Sequence, residues 1–341
     1  MMERTEAKHF KKIMLTLFVL LLFIAICSMF WGHYDMNLAD VVKVFAAHIN
    51  GDKDENLHIM DYVIFQVRLP RIILAGLVGA GLSISGAALQ GTFQNPLVSP
   101  DLLGVCSGAG FGAALEILLF SNTGAFLPLL SMVFGLLSIF LVFLLANMKG
   151  QVKMLSLILS GIIVSSIFNA LISLIKYVAD TDEKLPAITF WLMGSFSNTS
   201  FYHIKIAILP ITLGIAGLLL FRWKINLLSL GDEDAHTMGI NPQKTRWVII
   251  VLATLTTAAC VTVSGIIGWV GLVIPHICRR IVGNNHGALL PASCLTGAAF
   301  MILVDSLARN IITAEIPIGI LTALIGAPFF AVIYRRTKGG I

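Results

Sequence analysis

The chain is expected to be an all-α integral membrane protein of about ten transmembrane helices, and three observations lead there. Of its 341 residues 57% are hydrophobic and only 12% are charged, against about 25% charged in soluble domains. The apolar residues gather in continuous runs of roughly 20, the length that crosses a bilayer as a helix. Within those runs apolar and polar residues do not alternate, which excludes the strands of a membrane β-barrel.

Taken in order, the first run covers 13–31 and follows Lys8, Lys11 and Lys12. It is too long for a signal peptide, and Ser28-Met29-Phe30-Trp31 offers no small-x-small cleavage site, so it is expected to stay as a first span. The second, 69–90, carries Gly76, Gly79, Gly81 and Gly86, which permit close helix packing. Asn95-Pro96 and Ser99-Pro100 break the chain before the third span, 102–120, and the fourth and fifth follow at 127–146 and 154–177. Phe190, Trp191, Phe196, Phe201 and Tyr202 mark an interfacial aromatic segment ahead of the sixth, 204–222. The last four are 243–262, 264–282, 288–308 and 318–335, so that 1–341 forms a single transmembrane unit.

Lysine and arginine sort unevenly over these segments. Fifteen fall on the side of the amino terminus and eight on the other, which places both termini in the cytoplasm. The net charge of +5 is this same topological excess; no basic stripe or stacking platform points to nucleic acid. Cys27, Cys106, Cys260, Cys278 and Cys294 lie in or beside apolar spans without a Cys-x-x-Cys pair, as small core residues do. No paired metal ligands and no activated nucleophile appear, so neither a catalytic nor a metal site is expected. The dipeptide Gly-Lys never occurs, which excludes a phosphate-binding loop; this chain is expected to bind no cofactor and to leave ATP to a partner. Intramembrane carboxylates are few, chiefly Glu116 and Asp305, and Asp305 lies four residues before Arg309, where the two can pair along one helix face. An ion-coupled secondary carrier, the rival class, normally has carboxylate relays at mid-depth.

Two places stand out. Arg68 and Arg71 sit at the expected start of the second span, where the partial positive charge of a helix amino end disfavours cations unless an anion compensates. They are either partners of a protein carboxylate or anchors to lipid phosphate. The segment 228–242 contains Gly231, Asp232, Glu233, Asp234, Ala235, His236 and Gly239. Ser229 or Asp232 can cap a short helix there, the acidic residues suit its first turn, and Gly239 can end it. The segment is either a docking element or a solvated linker.

Several long motifs, in order, carry a resemblance. Arg68-Leu69-Pro70-Arg71, Gly86-Ala87-Ala88-Leu89-Gln90, Asn95-Pro96-Leu97 and Pro100-Asp101-Leu102-Leu103-Gly104 are followed by Gly268-Trp269-Val270-Gly271-Leu272-Val273-Ile274-Pro275-His276. Glu315-Ile316-Pro317-Ile318-Gly319 and Gly326-Ala327-Pro328-Phe329-Phe330 complete the set. The chain thus resembles FecCD-type permeases of ATP-binding-cassette importers for iron chelates, haem and cobalamin. The resemblance implies a ten-helix bundle like that of the cobalamin-importer permeases, working as a homodimer with two ATPase subunits and an extracytoplasmic binding protein in a prokaryotic plasma membrane. It implies a path along the dimer axis flanked by the fifth and tenth spans, with Ser160, Gly161, Ser165, Asn169, Ile320 and Thr322 as candidate lining residues. It implies that Gly231 to Gly239 couples to the ATPase, and that Arg68, Arg71 and Arg309 receive acidic residues of the binding protein. An iron chelate is the first expectation for substrate on family frequency. Cobalamin is an alternative, as is molybdate or tungstate, because Trp269 and the Ala308-Arg309 context resemble the oxyanion branch.

Overall fold

The computed structural model describes residues 2–32, 34, 36–50, 55–120, 126–146 and 154–338, and all regular structure among them is helical. In chain order come α1 (Met2–Phe30), α2 (Leu38–Asn50), α3 (Glu55–Tyr62), a π-helical stretch (Val63–Arg68) and α4 (Leu69–Thr92). A 3₁₀ turn (Pro100–Leu103) leads to α5 (Val105–Leu119), α6 (Leu127–Ala146), α7 (Met154–Val178), α8 (Lys184–Leu192) and α9 (Phe201–Leu220). The remainder is α10 (Arg222–Leu228), α11 (Asp232–Thr237), α12 (Pro242–Ser264), α13 (Val270–Val282), α14 (His286–Asn310) and α15 (Ile318–Lys338). Each of the ten expected apolar segments contains an α-helix, the eighth only from Val270 onward. Seven described helices are long and apolar enough to cross a membrane, and Val105–Leu119 and Ile318–Val332 are shorter apolar helices. Lys53, Lys149 and Lys153, used in the charge count, lie outside the described residues.

The bundle is organised around α4, which is buried along nearly its whole length. It packs most extensively against α14, and also touches α9, α12 and α13. Small residues make this possible. A Cβ at Gly79 would run into the carbonyl of Gly297 on α14, and one at Gly86 into the carbonyl of Gly271 on α13. In lipid no hydrophobic effect drives helices together, so close backbone approach and the dispersion contacts it allows supply the association. By contrast α1 is largely exposed and lies at the periphery, as a lipid-facing helix should.

Two boundaries differ from expectation. The second span does not begin at residue 69, because α3, the π stretch and α4 run on as one helix, with Arg68 in right-handed helical geometry. Pro70 has no N–H to donate to the preceding turn, and a π register is one way for a helix to absorb that gap. At about 1.5 Å per residue, the continuous apolar helix is ~54 Å long, well beyond a hydrocarbon core of about 30 Å. Its first turns therefore stand clear of the membrane, where Ile64 packs with Met36, Val41 and Val44 in a small cap. The eighth span starts only at Val270, after irregular backbone in which Gly265 and Trp269 have φ of +67° and +70°. That backbone is knitted into its neighbours. Ser195 N–H donates to the Ser264 carbonyl at 2.9 Å, while Ile318 and Gly319 N–H donate to the Gly194 and Met193 carbonyls at 2.8 and 3.0 Å. Irregular segments within a membrane bundle persist only when protein supplies such partners.

The α4–α14 contact predicts a contrast between two glycines. Gly79→Leu should destabilise the protein by about 1–3 kcal/mol through overpacking, read as a lower midpoint of thermal unfolding in detergent. Gly76→Ala should be tolerated, since a Cβ there meets Ile302 Cδ1 at an ordinary 3.5 Å.

Candidate functional site

One end of the α4–α14 pair holds a buried charge cluster. Arg71 Nε donates to Asp305 Oδ1 and Oδ2 at 2.8 and 3.1 Å, and its two terminal nitrogens donate to the two Glu315 carboxylate oxygens at 3.0 Å each. Arg309 Nε lies 3.3 Å from Asp305 Oδ2, the pair expected along one helix face. Arg309 Nη2 also donates to Ser28 Oγ at 2.9 Å, bringing α1 into the cluster. Arg68 donates to the carbonyls of Met29 and Tyr34. The cluster balances two cations with two anions, as an ionic group removed from water requires.

This changes the reading of the three arginines. Arg68, Arg71 and Arg309 were expected as open cations at a docking rim, yet they are 3%, 4% and 6% exposed. The argument from an unfavourable helix end fails with its premise, because the helix does not start at residue 69. The anions that compensate Arg71 and Arg309 are internal. Of the four charged side chains in the cluster, only that of Glu315 reaches the surface, at 28% exposure. Its φ of +49° is unusual for a residue with a Cβ, and the bidentate pairing with Arg71 helps hold the strained loop between α14 and α15.

The other end of α14 meets the hairpin of α10 and α11. The short acidic helix expected in 228–242 is present as α11, but neither proposed cap forms. Ser229 Oγ donates to the Asn226 carbonyl at 2.6 Å, and the Asp232 carboxylate accepts from Arg246 Nη2 on α12 at 2.7 Å. Glycines bound the helix instead. Gly231 enters at φ +123°, and Gly239 leaves at φ +84° while Ile240 N–H closes back on the Ala235 carbonyl at 3.2 Å. Ala235 is buried against the bundle, whereas Glu233, Asp234 and His236 face outward.

Two further helices, α7 and α15, each keep an exposed face. Asn169 and Ile320 are exposed there and Ser165 half-exposed. The other candidate lining residues lie inside. Ser160 is buried, Gly161 packs so closely on the Leu102 carbonyl that no Cβ would fit, and buried Thr322 donates to the Gly319 carbonyl at 3.1 Å. An exposed amide in a membrane helix is unfavourable against lipid and fits a water-lined or protein-covered face.

Residues 20–336 match the FecCD transport family. The chain belongs to the FecCD transport family. It is 45% identical over 338 residues to the molybdate import system permease protein MolB of Haemophilus influenzae, covering 98% of this chain and 99% of that one. It is 43% identical over 286 residues to a probable iron chelatin transport system permease protein of Helicobacter pylori, covering 84% and 86% respectively. A solved inward-facing structure of a putative metal-chelate type ABC transporter superposes with a TM-score of 0.86 at 44% identity, covering 96% of this chain and 99% of that one. This FecCD protein is an ABC importer permease, a multi-pass protein of the prokaryotic plasma membrane.

In this FecCD permease a cavity of about 350 Å³ lies behind α8, lined among others by Phe190, Trp191, Ser195, Ser197, His203 and Ser264. The aromatic segment therefore divides: Phe190 and Trp191 wall the cavity and Phe196 is core, while Phe201 and Tyr202 are exposed. Sequence reasoning missed Glu315 as the partner of Arg71. Its only local signal was a carboxylate within an otherwise apolar motif.

The charge cluster predicts that Asp305→Ala, which leaves buried Arg309 without its carboxylate and Arg71 with Glu315 alone, destabilises the protein by about 3–5 kcal/mol. Glu315→Gln, which keeps an acceptor at the surface, should have a smaller effect. Thermal unfolding of both variants in the same detergent checks the order.

Proposed function

We propose that two copies of this chain form the membrane part of an importer for an oxyanion of the molybdate class, driven by two separate ATPase subunits and loaded by an extracytoplasmic binding protein. The observation that carries the substrate is the end-to-end match to a permease named for molybdate. An iron chelate is the second reading, favoured by the 43% identity to a permease named for iron chelatin. In the proposed dimer the open α7–α15 faces of the two copies flank the path, which gives exposed Asn169 and half-exposed Ser165 water or a partner to face. Both termini and α11 lie in the cytoplasm, and α11 docks in a cleft of the ATPase with Glu233 and Asp234 outward. The binding protein meets the opposite end, where buried Arg71 and Arg309 set the shape of the rim and Glu315 stands at its surface.

The rival, an ion-coupled carrier, gains no support from the placement of carboxylates. Glu116 lies in the last turn of α5 and Asp305 is neutralised by two arginines. Reconstitution of the complete importer in liposomes tests the substrate. Uptake of labelled molybdate that needs internal ATP is expected, and uptake of an iron chelate without molybdate would overturn the oxyanion reading. Accumulation by the purified chain alone on a proton or sodium gradient would overturn the importer mechanism.

The docking role of α11 makes its own prediction. Gly239 has open space around it but a φ of +84°, so Gly239→Val adds no clash and strains only the backbone that ends the helix. ATPase activity in the assembled importer should then respond at most weakly to loaded binding protein. Full stimulation in Gly239→Val would show that the turn does not position the docking helix.

A further inference from the structure

The α10–α11 hairpin is fastened to the bundle in two very different ways. To α12 it is joined by the Asp232–Arg246 pair, whose carboxylate is 55% exposed; exposed pairs of this kind are worth little. To α14 and α4 it is joined by side-chain amides placed on helix ends. Asn226 of α10 accepts the backbone N–H of His286 at 2.7 Å, and its Nδ2 donates to Asn285 Oδ1 at 2.9 Å. His286 Nδ1 lies 2.9 Å from the same Asn226 oxygen, which places the ring proton on Nδ1. Asn285 Oδ1 in turn accepts Gly287 N–H at 2.8 Å. The first N–H groups of α14 have no partners within their own helix, so Asn226 caps α14 from another element. From the α4 side, Gln94 Nε2 donates to the carbonyl of Leu228, the last residue of α10, at 2.7 Å. Gln94 holds a φ of +50°, the left-handed region, to do so. Between these two fastenings Gly91 lets α4 approach so closely that a Cβ there would strike the His286 ring and Ile225 of α10.

We propose that Asn226, seconded by Gln94, is the positioning residue through which movement of the docking helix reaches the transmembrane bundle. The inference rests on the reading that α11 docks on the ATPase. The 25 residues of α14 extend ~37 Å at about 1.5 Å per residue, and near its far end Asp305 binds Arg71 of α4. A displacement of α11 is carried by α10 to the capped end of α14, and α4 moves with it because the two backbones are in contact. Without the Asn226 amide, α10 loses its directional bonds to α14 and keeps only the Gln94 bond to the Leu228 carbonyl and the apolar packing of Ile225, Leu227 and Leu228, which by itself resists sliding poorly.

The test uses the complete importer in proteoliposomes, with the ratio of substrate transported to ATP hydrolysed as readout. Asn226→Ala should lower that ratio about tenfold, the equivalent of losing one to two part-buried hydrogen bonds, while the ATPase subunits still co-purify with the permease. Asn226→Asp keeps the acceptor for His286 N–H at a helix amino end, where negative charge is favourable, and should recover much of the ratio. Gln94→Ala, which leaves Asn226 in place, should lower it less than Asn226→Ala and guards against loss of folding in the latter. Unchanged ratios in Asn226→Ala and Gln94→Ala would overturn the inference. Charge reversal of Glu233 and Asp234 tests the reading beneath it: loss of ATPase co-purification supports docking by α11, and intact assembly and transport would remove the basis of the inference altogether.

Discussion

Backbone contact between α4 and α14 is the constraint on which the rest of this protein depends. Two helices in lipid gain nothing from hiding apolar side chains that the lipid would welcome equally, so they must gain from closeness. Gly79 and Gly297 allow it by removing both side chains at the point of contact. The surrounding helices then have a rigid, narrow core to pack on, and α9, α12 and α13 all do so. A thicker core would push each of them outward.

Both functional ends are attached to this pair. At one end Arg71 of α4 and Asp305 of α14 share a buried ion pair that recruits Glu315 and Arg309. At the other, His286 at the start of α14 and Gln94 just after α4 receive the α10–α11 hairpin. Charged groups are thus concentrated where the helices end, and the stretch between them carries only apolar and small residues and buried hydroxyls such as Ser83 and Ser293. At the irregular joint that begins at Ser264, the Ser264 carbonyl accepts from Ser195 N–H, and the segment before Ser195 is in turn bound by the start of α15. The uncovered faces of α7 and α15 are the proposed boundary of the path.

Hydropathy made the long helices legible, since composition alone decides whether a segment of 20 residues can cross a membrane. Local geometry was legible where the partners lie a few residues apart: Asp305 with Arg309, and the turn at Gly239. Partners distant in sequence were not. Arg71 and Asp305 are 234 positions apart, and no local pattern distinguishes an arginine destined for an internal carboxylate from one at a rim. The π stretch before Pro70 was missed for a related reason, because a proline reads as a helix start unless the preceding turn is known to absorb it. Short helices such as α8 and α10 carry too few residues for hydrophobic periodicity to mark them. Asn226 was invisible as a cap because it serves a helix other than its own.

The central claim is that α4 and α14 move as one body during transport. A disulfide joining Gly76→Cys on α4 to Ile302→Cys on α14, side chains that face each other across the contact, tests it most directly in a background freed of the native cysteines. Transport by the reconstituted importer should be the same with the bond oxidised and reduced. Transport blocked on oxidation and restored by a reductant would show that the two helices slide past each other, and would contradict the account.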